Sequence, residues 1–191
     1  MLQPMAIALV HYPVVDRRGD VVTSAVTNLD IHDLARLATT YNLSRYYLVT
    51  PAREQQLLVS RIVSHWQEGA GASYNPDRCL ALNSLRVKNS FDEALADWQS
   101  LAGAEALAVL TGARHRDGLD YPDARNLAEK RPLLLVFGTG HGLAPEIYLP
   151  GRPCLEPVRK GCYNHLSVRA AAAIVLDRLI GEASEVMRLS L

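Results

Sequence analysis

The chain has no net charge: its 191 residues hold 20 Lys and Arg against 20 Asp and Glu. A strongly basic domain is the usual electrostatic mark of a nucleic-acid binder, so this balance announces no such partner and leaves room only for a local patch. It also gives little self-repulsion, which is compatible with self-association. Cysteine is scarce. Cys79, Cys154 and Cys162 form no C-x-x-C pair, and an odd number suits no complete disulfide framework. They read as small apolar side chains buried in a reducing compartment. No apolar run reaches the roughly 18 residues of a membrane helix. The first ten residues lack a basic leader and a small-residue cleavage site and read as a strand, so a soluble, cytoplasmic protein is expected. G-x-x-x-x-G-K-[S/T], G-x-S-x-G and H-E-x-x-H are also absent, which disfavours a P-loop enzyme, a serine hydrolase and a zincin. His11, His65 and His115 have no partners at metal-ligand spacing, and the adjacent His32 and Asp33 point in different directions on a helix. No metal is expected.

The composition, 49% hydrophobic and 21% charged, is that of an ordinary globular chain and excludes disorder for its bulk. At about 150 residues per domain, residues 1–191 make one domain, and a core of that size needs neither disulfides nor a structural metal. Strand and helix patterns alternate. MAIALV (residues 5–10) is a short apolar run suited to a strand buried on both faces. Ile31, Leu34, Ala35, Ala38 and Tyr41 recur at helical spacing, with Asn28 or Asp30 as N-cap. Residues 46–49 read as strand. Thr50 and Pro51 open a helix whose Leu58, Ile62, Val63 and Trp66 share a face. Residues 68–77 are Gly-, Asn- and Pro-rich and read as loop. Ser90 and Glu93 make a capping box for a helix to about Leu101. Strands come next at 106–110 and 133–137, with a short helix from Asp120 and Pro122 between them, and residues 165–180 read as a long helix capped by Asn164 or Ser167. The fold class implied is α/β, a mostly parallel sheet with helices on both faces.

Three segments carry candidate chemistry. In LLLVFGTGHGL a buried strand runs into Gly138, Gly140 and Gly142. Glycine permits positive φ and lets a ligand approach bare backbone, and the carboxyl end of a parallel strand is where α/β proteins bind ligands. The dinucleotide fingerprint G-x-G-x-x-G fails at Leu143, which disfavours an NAD enzyme. The second segment, YNHLSVRAAAAIVLDRL, is a polar turn opening an alanine-rich helix whose smooth face allows close approach of another element. In the third, VTNLDIHDLARLATTY, Asn28, His32 and Arg36 lie along one polar flank, because residues four apart are neighbours on a helix.

Together these segments resemble the SPOUT class of S-adenosylmethionine-dependent RNA methyltransferases. More narrowly, HYPV, TNLDIHDLAR, VTP, FGTGHGL and YNHLSVRAAAAI resemble a single-domain bacterial family of that class, from about Ala6 to Leu179. The resemblance implies a C-terminal trefoil knot, a homodimer and an RNA acceptor. It implies a catalytic role for Arg36 with Asn28 positioning it. Three loops would hold S-adenosylmethionine largely through backbone groups: Leu110, Thr111 and Gly112; Phe137, Gly138, Thr139, Gly140, His141 and Gly142; and Leu155, Pro157, Tyr163, Asn164, His165, Leu166 and Ser167. A β-branched side chain at Gly140 would then occupy the space that the cofactor needs. His141 stands near the place where ribose methyltransferases of the class carry Glu. Near the implied pocket lie Arg114, Arg116 and the stretch 152–169, where Arg152, Arg159, Lys160 and Arg169 face Glu156 alone. The rival reading is a knotted cofactor-binding module without catalysis, acting as a binding or assembly factor.

Overall fold

Small and large side chains alternate along Met5–Val10 (β1), and every one is buried. Ala6, Ala8 and Val10 face one layer, and Met5, Ile7 and Leu9 the other, because successive strand residues point to opposite faces. The computed structural model, which describes residues 1–115, 117–161 and 163–181, puts β1 at the centre of a sheet. The remaining strands are the two-residue β2 (Val14–Val15) and β3 (Val21–Val22), β4 (Arg45–Val49), β5 (Leu85–Lys88), β6 (Leu107–Leu110) and β7 (Leu133–Gly138). With β1, four of them form a parallel sheet in the order β5–β4–β1–β7–β6, and β2 pairs with β3 as an antiparallel hairpin.

The helices are α1 (Asn28–Thr40), α2 (Arg53–Gln67), α3 (Ala70–Tyr74), α4 (Pro76–Leu82), α5 (Phe91–Ala102), α6 (Tyr121–Lys130) and α7 (Val168–Leu176). One sheet face, carrying Ile7, Leu9, Leu48 and Leu135, packs against Ile31 and Leu34 of α1, Val59 of α2, Leu82 of α4, Ala124 of α6 and Val175 of α7. The other receives α5, whose fully buried Trp98 fills the space left by Ala6 and Ala8.

Several boundaries differ from expectation for local reasons. Thr27, not Asn28 or Asp30, caps α1. Its hydroxyl accepts from the Asp30 amide at 3.2 Å, while the Asp30 carboxylate accepts from the Thr27 amide at 3.2 Å, a reciprocal box. Ser90 caps α5, but the Glu93 carboxylate reaches back to the Asn89 amide. The Thr50 hydroxyl accepts from the Ala52 amide, which delays α2 to Arg53. Residues 68–77 are not a loop: α3 occupies much of them, and Asn75 with Pro76 starts α4. Ser167 caps α7, which begins three residues later than expected and passes into a π-type turn at Asp177–Gly181. Cys79 and Cys154 are half-buried free thiols, so the expectation of buried cysteines holds only in part, and burial pushes the Cys154 thiol up to about 11. Arg116 and Cys162 lie outside the described residues. Among the described residues no helix is long and apolar enough to cross a membrane.

Candidate functional site

The carboxyl ends of β6, β1 and β7 lie side by side, and the loops that leave them are stitched to one another. After β7, the Thr139 amide donates to the Val10 carbonyl at 3.2 Å, and the loop closes on itself through Gly142 N–H to the Thr139 carbonyl at 3.0 Å. The β2–β3 hairpin folds onto this loop: the His141 amide donates to the Val15 carbonyl, and the Val15 amide to the Gly142 carbonyl, both at 2.9 Å. Gly140 has φ of +59°, and a Cβ there would stand 3.0 Å from the Val15 carbonyl oxygen. A side chain at Gly140 would therefore press on the hairpin, so a substitution there strains the protein itself. Gly142, at φ +118°, faces open space instead.

After β6, the Thr111 amide donates to the Val136 carbonyl at 2.9 Å. The segment 153–156 then runs between Leu110 and Leu119 with hydrogen bonds on both sides. On one side the Leu110 amide donates to the Pro153 carbonyl and the Leu155 amide to the Leu110 carbonyl, at 2.9 and 2.8 Å. On the other, the Leu119 amide donates to the Cys154 carbonyl and the Glu156 amide to the Leu119 carbonyl, both at 2.8 Å. The crossing is tight: a Cβ on Gly118 would lie 2.6 Å from the Cys154 oxygen. The Asn164 amide side chain donates to the Ala113 carbonyl at 3.1 Å, tying the third segment to the first. A cleft of about 600 Å³ opens beside the crossing, walled by Arg114, His115, Gly118, Leu119, Pro153 and Cys154, with Asp117 at its edge. His115 leans on Tyr148 there, with ring centroids 4.8 Å apart.

The structure thus brings the three predicted loops together, mainly as backbone. The Thr111 hydroxyl turns inward to the Val136 carbonyl at 2.9 Å and the Thr139 hydroxyl to the Val10 carbonyl at 3.0 Å. Phe137, Leu155 and Pro157 are buried, whereas Tyr163, His165, Leu166 and Ser167 are exposed. Glu156 is paired with Lys160 at 2.6 Å.

The basic stretch is largely neutralised internally. Arg152 reaches Asp92 at 3.5 Å and stacks over Phe91, and Arg169 of α7 binds both Asp30 and Asp33 of α1, at 2.9 and 3.2 Å. With Lys160 taken by Glu156, Arg159 is the member of that stretch without a carboxylate among the described residues. Asn28 and Arg36 are exposed on α1. Because Asp33 pairs with Arg169, Arg36 has no carboxylate partner among the described residues. His32, one turn before Arg36, sits edge-on to Trp66, and its proton affinity is lowered by burial first and then by Arg78. The described residues contain no group of three or more His, Cys, Asp or Glu arranged to hold a metal.

One polar group went unread in the sequence. His11, fully buried at the end of β1, lies with Nδ1 3.0 Å from Ser24 Oγ, and the Ser24 hydroxyl is in close hydrogen-bond contact with the Thr139 hydroxyl.

Comparison with known proteins gives matches over nearly the whole chain. A family described as SAM-dependent RNA methyltransferase matches residues 4–181. A tRNA (guanine-N(1)-)-methyltransferase of Oleidesulfovibrio alaskensis is 42% identical over 177 residues, which are 92% of this chain and 42% of that protein. The chain therefore spans less than half the length of this relative. Among solved structures, the SpoU methyltransferase AviRb of Streptomyces viridochromogenes, in complex with the cofactor AdoMet, aligns at a TM-score of 0.62. That alignment has 14% identity and covers 96% of this chain and 59% of the other. A TrmH/SpoU tRNA modifying enzyme of A. aeolicus aligns at 0.59, with 14% identity, over 100% and 80% of the two chains. These two likenesses show the fold.

Proposed function

Because the chain belongs to the SAM-dependent RNA methyltransferase family, we propose that it transfers a methyl group from S-adenosylmethionine to an RNA nucleoside, with tRNA the first acceptor to test. The observation that carries this reading is the convergence of three backbone segments at the ends of adjacent parallel strands. The residues suit the cofactor's chemistry. Peptide N–H and C=O groups match the hydrogen-bonding edge of adenine, the one carboxylate in the loops is neutralised by Lys160, and Gly142 opens onto free space. In this reading Leu110 to Gly112, Phe137 to Gly142 and Leu155 to Ser167 hold the adenosine part. The relatives' guanine N1 specificity is not carried over, since more than half of each such protein lies outside the match.

S-adenosylmethionine, when bound, supplies an electrophilic sulfonium methyl. The chain's own work is then alignment of donor and acceptor and charge stabilisation. Arg36 holds the acceptor phosphate in a two-pronged contact and stabilises negative charge on the attacking atom. Asn28, at the start of the same helix, positions Arg36.

In the finer topology of this reading, residues 153–156 are the strand of a trefoil knot, supported by their two-sided hydrogen bonding between Leu110 and Leu119. The working unit is a homodimer, supported by the exposed Leu166 just before α7 and the half-buried Ala170, Ala171 and Ala173 on that helix. Such an interface buries upward of about 1,200 Å² in total. A cytoplasmic location accompanies an RNA acceptor. The internal pairing of Arg152, Lys160 and Arg169 favours one rival, a cofactor-binding module without catalysis. Single-turnover transfer of labelled methyl from S-adenosylmethionine to unfractionated tRNA separates the two: labelled nucleoside supports the enzyme, and tight cofactor binding without transfer supports the module.

A further inference from the structure

We propose that His11 is a positioning residue for the 138–142 loop, acting through Ser24 and Thr139. The proposal rests on the reading that this loop holds the cofactor.

The donor inventory sets the direction of the chain. Thr139 has one hydroxyl proton, and it goes to the Val10 carbonyl at 3.0 Å. The close Ser24–Thr139 contact must then be donated by Ser24. With the Ser24 proton committed, the 3.0 Å contact to His11 Nδ1 is donated by the imidazole. This assignment gives each hydroxyl one proton to donate: Nδ1–H goes to Ser24, Ser24 to Thr139, and Thr139 to the Val10 carbonyl. It leaves Nε2 as the bare lone pair, without a hydrogen-bond partner among the described residues. Burial holds the ring neutral by pulling its pKa to about 4, against the opposing pull of Asp30 and the Ala25 backbone.

The chain ties together three pieces of backbone far apart in sequence. Ser24 leaves the β2–β3 hairpin and is fixed by its own amide to the His11 carbonyl at 2.8 Å. Thr139 sits between Gly138 and Gly140, where glycine imposes little conformational restraint of its own. Without the imidazole donor, the Ser24 hydroxyl has an alternative acceptor in the His11 carbonyl, 3.4 Å away, and its hold on Thr139 lapses. A loop that binds through backbone groups depends on such an external brace, because it has few side chains with which to fix its own shape.

The test measures, on the full chain, the S-adenosylmethionine dissociation constant by calorimetry, amide exchange at Gly140 and Gly142, and the melting temperature. Ser24→Ala and Thr139→Val are each expected to weaken binding about tenfold, the order of one lost hydrogen bond, and the double variant no further than either alone. His11→Asn, which keeps a donor near the Nδ1 position, is expected to bind more tightly than His11→Gln, whose amide reaches towards Nε2. Unchanged binding in Ser24→Ala and Thr139→Val overturns the proposal. So do losses that add in the double variant and simply track the melting temperature. Should the wild-type chain bind no S-adenosylmethionine, the reading of the loop as a cofactor site fails by itself. Exchange then decides the brace: faster exchange at Gly140 and Gly142 in Ser24→Ala sustains it, and unchanged exchange sinks it.

Discussion

Arg169 donates from Nη1 to Asp30 at 2.9 Å, joining the last helix to a carboxylate that is only 6% exposed and that also completes the cap of α1. Removing the cation strands that carboxylate. Arg169→Ala is expected to destabilise the fold by about 2 kcal/mol or more, short of the roughly 3–5 kcal/mol of fully buried pairs because Arg169 is 28% exposed. Asp30→Asn, which retains an acceptor for the Thr27 amide, should cost less than Asp30→Ala, which loses cap and pair together. Guanidinium unfolding curves of the single and double variants check both, and the pair should be non-additive.

The same guanidinium occupies Asp33, so Arg36 is left to act outward. Arg36→Ala should leave the melting temperature within about a degree or two of wild type, since exposed substitutions cost little. Turnover should fall on the order of 10²-fold, and cofactor affinity should hold. Lysine should rescue poorly, because a point charge does not reproduce a planar fork. Methyl transfer to tRNA, titration calorimetry and thermal melting give the three readings, and near-normal turnover in both variants would make Arg36 structural.

His11 makes stability depend on pH in a defined window. Its folded pKa of about 4 lies below the ordinary 6.5, because burial disfavours the imidazolium. Between those values the unfolded chain binds the extra proton, so stability rises with pH and is lost on acidification from about 6.5 towards 4, at up to about 1.4 kcal/mol per pH unit. Urea midpoints at pH 7 and pH 5 should differ more in wild type than in His11→Asn.

Gly118→Ala puts a methyl 2.6 Å from the Cys154 oxygen and 2.7 Å from the Glu156 nitrogen, both backbone atoms that cannot swing aside. A loss of about 2–3 kcal/mol is expected. Gly142→Ala meets open space and should cost only the strain of its positive φ, about 1–2 kcal/mol. Thermal unfolding ranks the two.

How far the sequence could be read depends on where each signal is stored. β1, β4, β6 and β7 are buried on both faces and announce themselves as apolar runs. β5, LRVK at the sheet edge, has only Leu85 buried and so carries no such run. The Asn75–Pro76 step that opens α4 looks the same in sequence as a loop breaker. The glycine loop was legible because positive φ leaves a compositional trace. Its brace was not, since Ser24 and Thr139 stand 115 residues apart and meet only because the β2–β3 hairpin lands on the loop. Nor could the fate of Arg169 be read: 139 residues separate it from Asp30, and in the chain it looks like one more member of a basic stretch.

The crossing at residues 153–156 also has a consequence for synthesis. The ribosome makes Leu119 some 34 residues before Pro153, which at about 5–20 residues per second is an interval of roughly 2–7 s. Throughout it, the hydrogen bonds of Leu110 and Leu119 to residues 153–156 cannot yet form. β1, β4 and β5 lie early in the chain and can pair as they emerge, whereas the crossing beyond β6 waits for residues 153–156. A nascent chain stalled before residue 153 would therefore hold two of the segments proposed to bind the cofactor and lack the third, which is laid between residues made long before it.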